Sequence, residues 1–209
     1  MTVEKHCEII AEIGQNHNGD MHLAKELIHA AAENGADIAK FQLFNAKQLF
    51  PSAQDGNEWY DYNCSTELSK DDLHTLVEEC AKYKIEFMSS PFDIERVRWL
   101  EEVNVKRHKL ASRSIDDEGL TAEMLKSGKR LLCSLGLWKG TGFPSIAKTN
   151  QVDFLYCVSK YPTQLEELKL NDVSFNGANS YSGFSDHTVG LSAPITAIAR
   201  GARIIEKHF

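Results

Sequence analysis

The chain has 209 residues, 42% of them hydrophobic and 25% charged, enough for one sizeable core in an ordinary globular domain. A net charge of -7 excludes a general nucleic-acid or anionic-membrane surface, so an anionic ligand would need a local cluster of cations. No apolar run is long enough to span a bilayer and no signal peptide is expected. Five cysteines (Cys7, Cys64, Cys80, Cys133, Cys157) without a CxxC pair fit a reduced, cytoplasmic protein in which all five are structural.

Residues 8–14, EIIAEIG, form a short apolar run ending in glycine and predict a buried strand. The turn QNHNGD follows. Asp20 is placed to cap a helix with an apolar stripe of Leu23, Leu27 and Ala31, and Asn34-Gly35 signals its end. DIAKFQLF is the second strand. Residues 45–67 are long for a strand–helix connection and carry Trp59, Tyr60 and Tyr62. They suit a lid over a site, and equally a surface insertion with its aromatics packed on a rim. Ser69 and Asp72 form a capping pair for a helix that buries Leu73, Leu76, Val77 and Cys80. IEFMSSPF is a third strand, and Asp93 caps the helix carrying Val97, Leu100 and Val103. RHKLAS, KRLLCSLG, DFLYCVSKYP, YSGFSDH and ARIIEKHF are the fourth to eighth strands, with helical stretches around 120–125 and between the last two.

Strands and helices alternate, so the sheet is expected to be parallel. Eight strands predict a (β/α)8 TIM barrel, one domain over residues 1–209. A doubly wound sheet is disfavoured because IGQNHNGD lacks GxGxxG. A barrel usually takes about 250 residues, and this sequence stops at its eighth strand. The last helix is expected to be missing, as in a fragment or a chain completed by another. The outer face of the last strand is then expected to be apolar and uncovered.

Parallel barrel strands should be apolar, yet polar residues stand at their carboxyl ends. Glu12 ends the first strand; Lys40 and Gln42, on one face, end the second. Ser90 ends the third, Lys109 and Ser112 the fourth, Ser134 the fifth, and Ser159 and Tyr161 the sixth. Ser185 and His187 end the seventh, and Glu206 and His208 the eighth. Two lysines among hydroxyls suit a phosphate or carboxylate. The plain alternative pairs Lys40 with Glu12 and lets Lys109 reach solvent. His187 and His208 lie at the spacing of neighbouring strands in a βαβ unit. They could share one divalent metal ion, or be two unrelated histidines.

Taken together, IIAEIGQNHNGD, AKFQ, SSPFD, KLAS, CVSKYPT, GFSDHTVG and IIEKHF resemble the sialic acid synthase family. Its members include N-acetylneuraminate, legionaminate and pseudaminate synthases and a spore-coat polysaccharide synthase. The resemblance runs along nearly the whole chain, and SDHTxG followed by EKHF is its most specific part. It implies a (β/α)8 barrel that condenses phosphoenolpyruvate with an open-chain N-acyl amino sugar. The expected products are a 2-keto-3-deoxy sugar acid and phosphate, in surface polysaccharide biosynthesis. By the same resemblance His187 and His208 are the ligands of Mn2+ or Mg2+. Lys40, Ser90, Lys109, Ser112, Ser134, Ser159 and Ser185 surround phosphoenolpyruvate. Glu12, Gln42 and Tyr161 stand near the sugar, with Glu12 a candidate to orient water. A homodimer is expected for the intact protein, and no nucleic-acid or membrane partner.

The sequence departs from the family pattern in places. Leu135 stands where a hydroxyl is usual on the fifth strand. Ser114 stands where an acid usually approaches the sugar, with acids only at Asp116 and Asp117. The GPDH-like segment and the C-terminal antifreeze-like domain, which in the family brings an arginine to the partner's sugar site, are not among these 209 residues. Two other readings stay open. One is another metal-dependent barrel lyase or hydrolase, although the first strand lacks HxH and the nearest histidine is His17. The other is a non-catalytic or partner-dependent barrel.

Overall fold

A computed structural model describes residues 6–50, 57–148, 151–177 and 179–209. The apolar runs form β1 (Glu8–Gly14), β2 (Ile38–Leu43), β3 (Glu86–Pro91), β4 (Arg107–Leu110), β5 (Arg130–Ser134), β6 (Val152–Cys157), β7 (Gly183–Asp186) and β8 (Ile204–His208). They are parallel, in the order β3-β2-β1-β8-β7-β6-β5-β4. β3 and β4 lie side by side at the two ends of this order. The Arg107 guanidinium joins them through Glu86 at 2.8 and 3.0 Å. The sheet is a nearly closed barrel of the predicted (β/α)8 type.

The helices are α1 (Met21–Glu33), α2 (Ala46–Leu49), α3 (Glu58–Ser65), α4 (Lys70–Tyr83), α5 (Ile94–Glu102), α6 (Glu118–Lys126) and α7 (Ser192–Ala199). The caps act as the sequence predicts. Asp20 accepts from the N–H groups of His22 and Leu23, Ser69 and Asp72 close a capping box, and Asp93 accepts from Arg96. The buried face of α1 is Ala24, Ile28 and Ala31 rather than Leu23, Leu27 and Ala31. A step of four residues drifts about 40° round a helix, and alternating steps of four and three keep to one face.

Two connections depart from simple alternation. Among the described residues, β5–β6 and β6–β7 carry 3-10 turns (Ser145–Lys148, Leu165–Glu167 and Leu170–Asp172) where α-helices were expected. Gly140, Gly142 and Pro144 explain the first, since none of them favours a helix interior. Nor is the outer face of β8 uncovered. Ile205 is 3% exposed and packs with Phe184 of β7 and with Ala193 and Ala197 of α7. Exposed apolar side chains in this part of the chain lie before and on α7, at Val189, Leu191 and Ile195, and at Phe209 just past β8. No helix among the described residues is long and apolar enough to cross a membrane.

The barrel interior is layered. At the amino ends of the strands, Arg107 also bonds Glu8 at 2.8 Å, and Arg130 bonds Asp153. Above this charged floor, Ile10, Ile38, Met88, Leu132, Leu155 and Ile204 form one buried apolar cluster. Side chains alternate along a strand, so the residue two positions on faces the same interior. Those positions are Glu12, Lys40, Ser90, Ser134, Cys157 and Glu206.

Candidate active site

That alternation places the polar strand ends around one cavity of about 700 Å³ at the carboxyl end of the barrel. Every residue that the sequence assigns to substrate or metal lines it: Glu12, Lys40, Gln42, Ser90, Lys109 and Ser112, with Ser134, Ser159, Tyr161, Ser185, His187 and His208.

The inner part is a charge lattice. Lys40 is 2% exposed, donates to Glu12 Oε2 at 2.5 Å, and lies 3.5 Å from Glu206 Oε2. Lys109, also 2% exposed, donates to Ser134 Oγ at 2.8 Å and lies 3.4 Å from Glu206 Oε1. The expectation that Lys109 could reach solvent is thus overturned, whereas the Lys40–Glu12 pair is present. Glu206 Oε1 accepts from Ser185 at 2.7 Å, and Glu12 Oε1 accepts from Gln42 at 2.8 Å. Burial alone would lower the Lys40 pKa, but the carboxylates of Glu12 and Glu206 outweigh it and raise the net value. Burial alone would raise Glu206; Lys109, Lys40, Ser185 and His187 reverse this and hold it at about 2. The Ser90 hydroxyl is buried in this wall without a hydrogen-bond partner, so a donor is left for a ligand.

The two histidines meet at the rim, with ring centroids 5.6 Å apart. His187 is held from three sides. Its Nδ1 faces the Val158 carbonyl at 2.8 Å, its own carbonyl accepts from Thr163 N–H, and Tyr161 packs on its ring at 4.1 Å. A carbonyl only accepts, so the proton of the neutral ring is on Nδ1 and the Nε2 lone pair is free. Next to His187 in the chain, Asp186 Oδ2 accepts from Lys207 Nζ at 2.7 Å, and the Thr188 carbonyl accepts from the same ammonium at 2.6 Å.

Comparison with known proteins now decides the family. The NeuB family matches residues 27–209. The chain belongs to the NeuB family. It is 34% identical to the N,N'-diacetyllegionaminic acid synthase of Legionella pneumophila, over 97% of this chain and 64% of that protein. It is 31% identical to the human N-acetylneuraminate-9-phosphate synthase, over 97% and 61%. The N-acetylneuraminic acid synthetase of Leptospira borgpetersenii, solved in complex with citrate, superposes with a TM-score of 0.84 at 31% identity, covering 98% of this chain and 73% of that one. The chain spans less than two thirds of the length of these curated relatives.

Parts of this NeuB-family cavity escape a reading of strand ends. Glu206 stood out as polar, but not as the group shared by both lysines. Cys157, taken as structural, lines the cavity with its Sγ 3.9 Å from His187 Nδ1. Gln15, Asn16, Trp59, Tyr62, Asn63 and Arg113 come from loops and from α3. α3 docks on the turn after β1: Gln15 donates to Asn63 at 3.0 Å and Thr66 at 2.6 Å, and the Tyr62 hydroxyl donates to the Gln15 carbonyl at 3.2 Å. Residues 51–56 of the expected lid lie outside the described residues.

The departures from the family pattern also find their places. Leu135 joins a buried apolar cluster, and Ser114 is buried away from the cavity. Asp117 caps α6 by accepting from Leu120 N–H, so it is engaged elsewhere. Gly136 allows a close approach: a Cβ there would stand 2.3 Å from Ser159 Oγ and 2.9 Å from Cys157 Sγ. Its N–H donates to Ser112 Oγ at 3.0 Å, which ties the segments after β4 and β5 together at the rim.

A divalent metal ion fits the donors present. Two rim imidazoles converge, one with a free Nε2 fixed by a second contact on Nδ1, as metal-bound histidines usually are. Among the described residues no group of three or more His, Cys, Asp and Glu gathers around them. Such an ion would therefore keep positions open for ligand oxygens.

Proposed function

We propose that this barrel joins phosphoenolpyruvate to an N-acyl amino sugar in its open-chain aldehyde form, giving a 2-keto-3-deoxy sugar acid and phosphate. The observation that carries the reading is the inner lattice. Two buried lysines share one buried carboxylate beside an unpartnered serine hydroxyl, at the catalytic end of a parallel barrel. The names of the relatives, synthases of legionaminic and neuraminic acids, support the reaction class.

Lys40 and Lys109 hold the phosphate and carboxylate of phosphoenolpyruvate, with Ser90, Ser112, Ser134, Ser159 and Ser185 as neutral donors. In the reaction C3 of phosphoenolpyruvate forms a bond to the aldehyde carbon, whose oxygen takes up a proton. Water adds to C2, and the C2–O bond breaks with its electrons leaving on phosphate. Glu12, held by Lys40 and Gln42, orients that water and takes its proton. Tyr161, at the rim beside both histidines, borders the sugar. Mn2+ or Mg2+ held by His187 and His208 supplies Lewis acidity to a carbonyl oxygen when bound.

The test is phosphate release by the full-length protein with phosphoenolpyruvate, Mn2+ and a panel of N-acyl hexosamines. Release that needs both substrates supports the reading. Release from phosphoenolpyruvate alone, or none with any aldose, removes it.

A further inference from the structure

Among the described residues, the lysines and arginines lining the cavity are Lys40, Lys109, Arg113 and Lys207. Three are matched by acids: Lys40 by Glu12 and Glu206, Lys109 by Glu206, and Lys207 by Asp186. Arg113 forms no ion pair among the described residues, and it is exposed at the mouth.

Its guanidinium is nonetheless placed. It stands 5.6 Å from the Phe92 ring and 5.7 Å from the Phe50 ring. Packing against aromatic faces orients a guanidinium while its in-plane N–H groups stay free for a bidentate anion. The backbone beneath is fixed. Ser112 Oγ accepts from Gly136 N–H at 3.0 Å, and Ser114 N–H donates to the Ala111 carbonyl at 3.0 Å. Lys109 is 2% exposed and Arg113 is open, so Arg113 lies outward of the inner lattice on the same chain segment.

We propose that Arg113 receives an anionic group, a phosphate ester or a carboxylate, on the end of the acceptor sugar remote from its aldehyde. This rests on the condensation reading above. With phosphoenolpyruvate on the buried lysines, the aldehyde must reach inward. The far end of an open-chain sugar then lies at the rim, where Arg113 stands with Trp59, Tyr62 and Asn63 from the docked α3. A neutral acceptor would leave this oriented cation without a counter-charge, whereas an anionic one forms a charge-assisted pair with it.

The experiment compares an N-acylhexosamine, its 6-phosphate and the corresponding uronic acid as acceptors for the full-length protein and for Arg113→Gln and Arg113→Lys. The parent should prefer an anionic acceptor by tenfold or more in kcat/KM. Arg113→Gln should remove that preference, leaving the neutral acceptor and the KM for phosphoenolpyruvate within about twofold, and Arg113→Lys should keep part of it. Whether the phosphate or the uronate is preferred identifies the anion. A parent without preference overturns the proposal. So does a mutant that raises the KM for phosphoenolpyruvate alone, since Arg113 would then serve that substrate. If no acceptor turns over, the condensation reading fails first. Calorimetric binding of the 6-phosphate in the presence of phosphoenolpyruvate then decides this proposal: tighter binding by the parent than by Arg113→Gln sustains it, and equal binding ends it.

Discussion

Lys109 on β4 and Glu206 on β8 reach across the barrel and meet with Nζ 3.4 Å from Oε1. The same carboxylate lies 3.5 Å from Lys40 of β2, so one acid serves cations from two other strands. Its depressed pKa makes stability depend on pH. The carboxyl falls from 4.5 to about 2 on folding. A depressed acid stabilises the folded state fully above its unfolded value, and this is lost as pH falls through the folded value. The loss should develop between pH 4.5 and about 2 and amount to about 3 kcal/mol at its limit. Urea unfolding across that range should show the slope in the parent, and Glu206→Gln should flatten it. At neutral pH the same variant should lose about 3 kcal/mol, because it leaves two buried lysines short of charge. A parent and variant with the same pH profile would show that Glu206 is not the group responsible.

Gly136 is a point of close approach between the segments after β5 and β6. Its missing Cβ leaves room for Ser159 Oγ, which would otherwise stand 2.3 Å away. Gly136→Ala should move Ser159 and weaken phosphoenolpyruvate binding by tenfold or more, at a stability cost of about 1–3 kcal/mol. Calorimetric titration with phosphoenolpyruvate, beside thermal unfolding, separates the two effects. Unchanged affinity would mean that Ser159 does not touch the ligand.

Strand-borne chemistry was legible in the sequence because a buried parallel strand has period two. Ile10 is followed by Glu12, Ile38 by Lys40, Leu132 by Ser134 and Ile204 by Glu206. Each polar residue inherits the inward direction of the apolar one before it. What stayed hidden lies outside that periodicity. Arg113 follows no strand pattern; Trp59 and Tyr62 were legible only as aromatics of a lid or rim segment, and their approach depends on how α3 packs on the turn after β1. The sharing of Glu206 between lysines also depends on which strands face each other across the closed barrel, which no single strand encodes. Cys157 reads as apolar filling until Gly136 brings β5 against it. Ile205 is covered because α7 turns back over the last two strands.

Lys207 lines the cavity beside the rim histidines and pairs outside the inner lattice. Its ammonium ties the Asp186 carboxylate to the Thr188 carbonyl, the residues on either side of His187. Lys207→Met should let this turn relax and weaken Mn2+ binding by about 10- to 100-fold, as loss of an outer support typically does. Phosphoenolpyruvate affinity measured without metal should change little, because Lys207 pairs outside the inner lattice. Equal Mn2+ affinity in parent and variant would reduce this lock to a stability device.

On the proposed reading the rim histidines and the inner lysines are two subsites that mutation should separate. His187 and His208 approach each other at the mouth, His187 half-buried and His208 exposed. His187→Ala and His208→Ala should each abolish Mn2+ binding, with little loss of stability. Lys40→Met should keep Mn2+ binding and lose phosphoenolpyruvate by tenfold or more. The methionine also strands Glu12 beside Gln42 alone, so this variant should be the less stable by about 3 kcal/mol. Calorimetric titration of all three variants with Mn2+ and with phosphoenolpyruvate gives the pattern directly. A histidine variant that binds Mn2+ as the parent does would remove the paired-histidine site. A Lys40 variant that keeps full phosphoenolpyruvate affinity would instead make the Lys40–Glu12 pair a structural feature of the barrel wall.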